Sequence, residues 1–243
     1  MNSVAAISIV PKMMLHKAPS AANAVHASID IDALRAYVPI VQRKLAAGQY
    51  LYRAGQAFNA LYLVNVGFLK TCLVTEDGRE QVTGFRMRGD LVGIESIGAA
   101  THECDVMALE TSGVWELPYP AILRACAQMP ELQERLTWAL AAEIRSDRSW
   151  KLALGSLSAE QRVAAFLLDL ASRHEALGFS PRHFVLRMGR ADIGSFLALK
   201  HETVTRALTR LASQGCIDVQ WREIRILDVG ALDGVIHCEE KAA

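Results

Sequence analysis

The sequence predicts an α+β chain in three parts: an N-terminal β-roll, a long helix and a C-terminal winged helix-turn-helix. Three observations carry this. Glycines recur at 48, 55, 67, 78, 84, 89 and 93 as punctuation between short β-type runs. An aliphatic line repeats every fourth residue through Leu132, Leu136, Leu140 and Ile144. Two short helical patterns near the C-terminus precede two strand-like runs that flank Trp221-Arg222.

The bulk numbers permit this architecture. A chain of 243 residues suits one large domain or two small ones. Apolar residues at 51% and charged residues at 21% allow an ordinary core and exclude wholesale disorder. Lys plus Arg equals Asp plus Glu, 26 each, so global charge gives no pointer to nucleic acid. Locally it differs: residues 182–225 hold eight basic residues against four acidic ones, a surplus of four. No apolar run approaches the roughly 20 residues that span a bilayer. Lys12 and Lys17 lack the apolar core of a secretory signal. The five cysteines are odd in number, scattered and without C-x-x-C spacing, which reads as reduced thiols in a cytoplasm.

In chain order, residues 1–28 are rich in Ala and Ser without a period and read as a flexible arm, followed by a short helix near Ile31–Val38. The β-roll, taken as a sensor domain over residues 29–128, has its clearest turn at Thr75-Glu76-Asp77-Gly78-Arg79, where an Asp-Gly pair separates two β-type runs. Pro130 opens a helix to about Leu154, within a segment set at 129–156; about 24 residues give about 36 Å. Two readings stay open. The helix lies on the roll as core, or it pairs with its twin in a homodimer through Leu132, Leu136, Leu140, Ile144 and Asp147. Its length favours the second. Gly155 ends it, and Ser158-Ala159-Glu160-Gln161 fits a capping box at a domain boundary. The next helix carries Val163, Phe166, Leu167 and Leu170 on one face. A C-terminal unit is set at 157–230 and a tail at 231–243.

The function-bearing pattern lies at about Arg190–Ala198 and His201–Ser213, two helices joined by Ala198-Leu199-Lys200. In the second, Val204, Ala207, Leu208 and Leu211 form an apolar stripe, and Glu202, Thr205, Arg206 and Thr209 form a polar stripe of the same spacing. A recognition helix in a major groove needs this division. Arg donates two hydrogen bonds to guanine, Glu accepts from cytosine, and Thr touches a thymine methyl. Glu202 and Arg206 are one turn apart, so they reach nearby bases or brace each other as a surface ion pair. Cys216–Gln220 and Glu223–Leu227 read as a hairpin wing.

Glu202-Thr203-Val204-Thr205-Arg206 resembles the Glu-x-x-Ser-Arg signature of the CRP/FNR regulators, the FNR branch in particular. The resemblance runs from about Leu45 to Asp228 and includes Gly89-Asp90-Leu91-Val92-Gly93, Leu157-Ser158-Ala159-Glu160-Gln161-Arg162 and Asp192-Ile193-Gly194. It implies a cyclic-nucleotide-binding-like jelly roll, a dimer helix and a homodimer that regulates transcription at a palindromic TTGA-type DNA site. It implies Glu202, Thr205 and Arg206 as base readers, with Thr205 replacing the usual Ser. Lys200, His201, Thr203, Thr209, Arg210 and Arg190 are candidate phosphate contacts. Lys200 stands where the family has an N-cap Ser or Thr. The turn Thr75, Glu76, Asp77 and Gly78 resembles an RNA polymerase contact loop, or is an ordinary exposed turn. Asp147 matches an Asp that makes dimerisation conditional, or pairs with Lys151.

The resemblance also frames what is sensed. FNR proteins hold an iron–sulfur cluster on three arm cysteines and one in the roll; here no cysteine precedes Cys72, and the roll position matches Trp115. Cyclic-nucleotide members hold phosphate with an Arg; the matching stretch Thr101-His102-Glu103-Cys104-Asp105 has none and carries carboxylates. Gly93 is followed by Ile94, not Glu. The expectation is therefore no cofactor, neither a cluster nor cyclic AMP, with the effector unnamed. His102 reads as a surface histidine and Cys104 as a buried thiol, against a metal or haem role. A rival function is an effector-binding, redox or gas-sensing module whose DNA binding is conditional. An enzyme is not expected: His102 is the only histidine between Leu45 and Pro118, so a metal-binding barrel lacks ligands.

Overall fold

A computed structural model describes residues 29–237. The expected arm at 1–28 and Cys238 lie outside the described residues. Asp30 caps a short first helix, α1 (Ile31–Leu34), by accepting from the Asp32 and Ala33 amides. The roll is then two four-stranded antiparallel sheets. One has the order β1 (Val41–Leu45), β8 (Ser112–Pro118), β3 (Ala60–Val66), β6 (Leu91–Val92). The other has the order β2 (Tyr50–Tyr52), β7 (Asp105–Ala108), β4 (Leu69–Val74), β5 (Glu80–Arg86). β4 and β5 form the hairpin expected at the Asp-Gly pair. Gly67 shows why the chain is punctuated: its φ is +91°, and a Cβ there would meet the Ser112 hydroxyl at 2.3 Å.

After α2 (Tyr119–Cys126) comes the long helix α3, Pro130–Ser156, 27 residues or about 40 Å. It runs past Gly155, which lies inside its last turn; Leu157 is the C-cap. Its aliphatic line divides between two environments, which corrects part of the expected dimer face. Leu132 is 3% exposed and Leu136 is 8% exposed, both packed inside the protomer with Leu117, Ile122 and Ala125. Leu140 is partly buried against the same cluster. These residues lie over the roll because α2 brings its apolar side to them. Ile144 is 52% exposed, and Trp138 and Leu152 are exposed too. Halfway along, Arg86 of β5 grips Glu143 through both guanidinium ends.

The capping box forms as expected. The Ser158 amide donates to Gln161 Oε1 at 2.8 Å, and Ser158 Oγ accepts from the Gln161 amide, opening α4 (Ala159–Ala176). The C-terminal unit adds β9 (His183–Val185), α5 (Arg190–Leu197), α6 (His201–Ser213), β10 (Ile217–Gln220) and β11 (Glu223–Ile226), with sheet order β10-β11-β9. Residues expected to begin a tail instead form α7 (Val229–His237), because Leu232 and Ile236 are buried and the helix packs along α4.

The boundary near Ser158 separates segments of sequence but not cores. Phe68, Cys72, Val82, Phe85 and Met87 of the roll share one apolar cluster with Phe166, Ile193, Leu197 and Leu208 of the C-terminal unit. Phe196 sits between Trp150 and Phe85, edge-on to each at 4.8 and 5.4 Å between centroids.

Candidate nucleic-acid interface

Helix α6 forms because its four apolar residues recur on one side. Val204, Ala207, Leu208 and Leu211 are buried, while Glu202, Thr205, Arg206 and Thr209 are exposed on the other. Lys200 is the N-cap, extended at φ −72° and ψ 148°, and its side chain caps nothing. The approach of α5 to α6 is set by a glycine. A Cβ on Gly194 would lie 2.6 Å from the Leu199 carbonyl oxygen, so no side chain fits. Ala198 takes a left-handed φ of 53° to make the turn, and the Leu199 amide donates to the Gly194 carbonyl at 2.8 Å.

The structure brings the three expected base readers onto one open face. Glu202 and Arg206 do not brace each other. Glu202 faces His201 Nε2 at 3.3 Å, and Arg206 donates to the Thr203 hydroxyl at 3.3 Å. The Thr205 hydroxyl donates to the His201 carbonyl and the Thr209 hydroxyl to the Thr205 carbonyl, one turn back. That bonding orders both hydroxyls and leaves their lone pairs as acceptors. Of the candidate phosphate contacts, Lys200, His201 and Thr209 are exposed and Thr203 is half-buried. Arg210 is tied to Glu160 at 3.3 Å, and Arg190 donates to the Trp221 carbonyl at 2.9 Å. The last two therefore brace neighbouring elements.

Helix α5 is docked on the roll by a contact that the sequence did not announce. Lys70 of β4, buried, places Nζ 2.9 Å from Asp192 Oδ1 and also pairs with Glu80. Burial alone would push the ammonium down, but the hydrogen bonds to Glu80 and Asp192 outweigh it and hold Lys70 well above its ordinary value. Glu80 is held below the usual carboxylate range by the Cys72 thiol and by Lys70. Asp192 uses its other oxygen to accept from the Gly189 amide at 3.0 Å, capping α5. One turn on, Ser195 Oγ accepts from the Val82 amide at 2.8 Å, and Gln81 donates to the Ser195 carbonyl. The available signal was a lone lysine inside the apolar run Phe68-Leu69-Lys70-Thr71-Cys72-Leu73.

The stretch Thr101–Asp105, set against a cyclic-nucleotide site by its sequence, packs beside aromatic rings. His102 is 3% exposed, a buried residue where a surface one was expected, because its ring stacks on Tyr52 at 3.6 Å and meets Phe58 edge-on. Burial depresses its pKa. The Tyr52 hydroxyl donates to Glu95 Oε1 at 3.0 Å, and the Cys104 thiol donates to the same oxygen at 3.3 Å. Glu95 follows the Gly93-Ile94 pair on a 3-10 turn. Aromatic rings and a carboxylate do not suit a phosphodiester. Cys72, Cys104, Cys126 and Cys216 are all buried, and burial pushes each thiol up. Among the described residues no group of three His, Cys, Asp or Glu could hold a metal ion.

The turn at Thr75–Gly78 is exposed and ordered. The Thr75 amide donates to the Arg79 carbonyl at 2.9 Å and the Gly78 amide to the Thr75 carbonyl at 2.8 Å. Asp77 bonds the Thr75 hydroxyl and the Arg79 guanidinium, and the Thr75 bond comes first in holding its carboxyl low. Asp147 stands on the open side of α3; the loss of some hydration around its carboxyl, then the charge of Glu143, raises its pKa. No described helix is long and apolar enough to cross a membrane.

Comparison with known proteins agrees with this geometry. Residues 161–235 match the Crp-like helix-turn-helix domain, and residues 42–129 match the cyclic nucleotide-binding domain. The chain is 40% identical over 195 residues to the fumarate and nitrate reduction regulatory protein of Escherichia coli (strain K12), covering 79% of this chain and 78% of that one. It is 38% identical over 186 residues to the transcriptional activator protein anr of Pseudomonas aeruginosa, covering 76% of each. The structure of FixK2 from Bradyrhizobium japonicum superposes with a TM-score of 0.74 at 27% identity, over 84% of this chain and 99% of that one. The chain belongs to the CRP/FNR family of DNA-binding transcription regulators, in its FNR branch.

Proposed function

We propose that the chain works in the cytoplasm as a homodimer that reads a palindromic TTGA-type site through Glu202, Thr205 and Arg206, without an iron–sulfur cluster and without cyclic AMP. The observation that carries this is the α6 face, where those three side chains are exposed and joined only to their own helix. What supports the dimer is the outer side of α3, where Ile144 and Leu152 stand exposed eight residues apart and therefore on one side of the helix. Asp147 lies beside that side, so dimerisation sets two carboxylates near each other and depends on conditions. What supports the absence of a cluster is the lack of any cysteine before Cys72 and the burial of the described thiols. What argues against cyclic AMP is the stacked Tyr52–His102 pair beside Glu95. The turn Thr75–Gly78 meets RNA polymerase, and the chain performs no catalysis.

The test is DNA binding by protein purified in air with no added ligand. The probe is a palindromic duplex with TTGA-type half-sites about one helical turn apart, and a scrambled duplex at matched salt is the control. Tight, selective binding is expected. Equal, weak binding to both duplexes overturns ligand-independent reading and favours the second proposal, DNA binding conditional on an effector or on dimerisation through Asp147.

A further inference from the structure

The outer side of α3 carries an acid and a base that the protomer leaves without an ion pair. Leu140, Ile144, Asp147, Lys151 and Leu154 recur at steps of four, three, four and three. That alternation is the seam of a two-stranded coiled coil. The line is open along its middle. Ile144, Asp147 and Lys151 are exposed, while Leu140 and Leu154 at its ends are half-buried. Two adjacent layers of such a seam are thus an acid and a base, with aliphatic side chains above and below.

The neighbouring charges are engaged or lie elsewhere. Glu143 is gripped by Arg86, and the Arg145 guanidinium lies over the Trp138 ring, 5.9 Å from its centroid. Arg148 is exposed but stands off the seam line. Asp147 and Lys151 are one helical turn apart, yet no ion pair joins them or ties either to another described residue. Lost hydration and then Glu143 raise the Asp147 pKa, and Lys151 counters this less than Arg86 does. An open acid and an open base on one seam line are self-complementary: a second copy of the surface offers each charge its opposite.

We propose that two copies pack side by side along α3 with each Asp147 paired to Lys151 of the partner subunit, so that two cross-subunit ion pairs close the homodimer. This rests on the homodimer proposed above and names what sets its strength. Two carboxylates alone in one layer repel, and two ammonium groups alone in the next do the same. The flexible lysine stem reaches one layer along the seam and sets each cation against the facing carboxylate. Ile144 and the two leucines keep water from these layers, where a charge costs far more alone than paired. The acid is therefore part of the attraction between copies. The pairing also fixes register, since a shift along the seam leaves both charges unmatched.

Dimer dissociation is measured by sedimentation for the wild type, Asp147→Lys, Lys151→Asp and an equimolar mixture of the two variants, one of them fluorescently labelled. Each variant alone brings four like charges to the seam. Its dimer is expected to be about a hundredfold weaker, from two pairs at about tenfold each. In the mixed dimer both pairs regain opposite charges, and dissociation returns to within about threefold of the wild type. Mixing cannot mend a pair confined to one helix, because each variant chain keeps two like charges of its own. Weak variants that do not recover on mixing overturn the cross-subunit pair, and so does an Asp147→Lys dimer as tight as the wild type. Should a charge reversal melt early, Asp147→Asn decides instead: a weaker dimer sustains the pair, and an unchanged or tighter one overturns it. Ile144→Glu tests the homodimer reading itself. A wild type that stays monomeric, or a dimer that survives Ile144→Glu, removes this side of α3 as the interface and the pair with it. A dimer lost in Ile144→Glu, with no recovery on mixing the charge variants, removes the pair alone.

Discussion

Helices α5 and α6 are neighbours of the same unit, yet their polar residues are used in opposite ways. On α5, Asp192 has both oxygens occupied, one by Lys70 and one by the Gly189 amide. Ser195 is bonded to the edge of β5. On α6, Glu202, Thr205 and Arg206 bond only within two residues or one turn of themselves and face outward. A polar group satisfied by a distant element holds the fold, whereas one satisfied only locally is free to trade its partner for a base edge. The difference marks the function more firmly than exposure alone.

The comparison is broken most severely at Arg206. Arg206→Ala is expected to weaken binding to the palindrome by about 2–6 kcal/mol over two half-sites and to relax selectivity, since one bidentate base contact is worth about 1–3 kcal/mol. Thermal unfolding should not move, because the lost bond to Thr203 is local and exposed; a melting shift of several degrees would place Arg206 with the structural group. Lys70→Met does the reverse. It leaves Glu80 and Asp192 without their cation, and denaturant titration should show a loss of about 3 kcal/mol, the low end for breaking a buried pair because both carboxylates keep some water.

Acid sharpens the contrast. Glu80 has its pKa lowered in the folded state, by the Cys72 thiol and then by Lys70. Its contribution is present above the unfolded value of about 4.3 and is lost as pH falls below it, because the unfolded state then binds more protons. Stability of the wild type should therefore fall through that window, and Lys70→Met should flatten the fall; identical acid limbs in the two proteins count against the docking contact. The smallest effect is at Lys200. Lys200→Ser should add about 1 kcal/mol by supplying the missing cap. If Lys200 meets a phosphate, the variant also binds less tightly with a shallower salt dependence, and an unchanged salt slope removes that role.

Much of this was legible in the sequence. The α6 stripes follow from a period of 3.6 and needed no tertiary context. The β4–β5 turn follows from Asp77-Gly78, and the hinge follows from Ser158 and Gln161. What escaped was long-range. Lys70 and Asp192 are 122 residues apart, and no local pattern links them. The sequence predicts a surface His102 because its stacking partner Tyr52 lies far away in the chain, in β2. Leu132 and Leu136 share their period with Ile144, and periodicity gives a face without saying what covers it; only the position of α2 assigns them to the protomer interior. Trp221 was visible as a wing residue, but its left-handed backbone was not.

The close contact at Gly194 separates aim from address. The angle of α6 is held by an absent side chain facing the Leu199 carbonyl, and neither Glu202, Thr205 nor Arg206 is among the atoms that a Cβ there would meet. Residues at 202, 205 and 206 can therefore be exchanged without re-aiming the helix. A lineage carrying this turn can move to new operators by changing its letters alone, while a Gly194→Ala change leaves every letter in place and points them elsewhere.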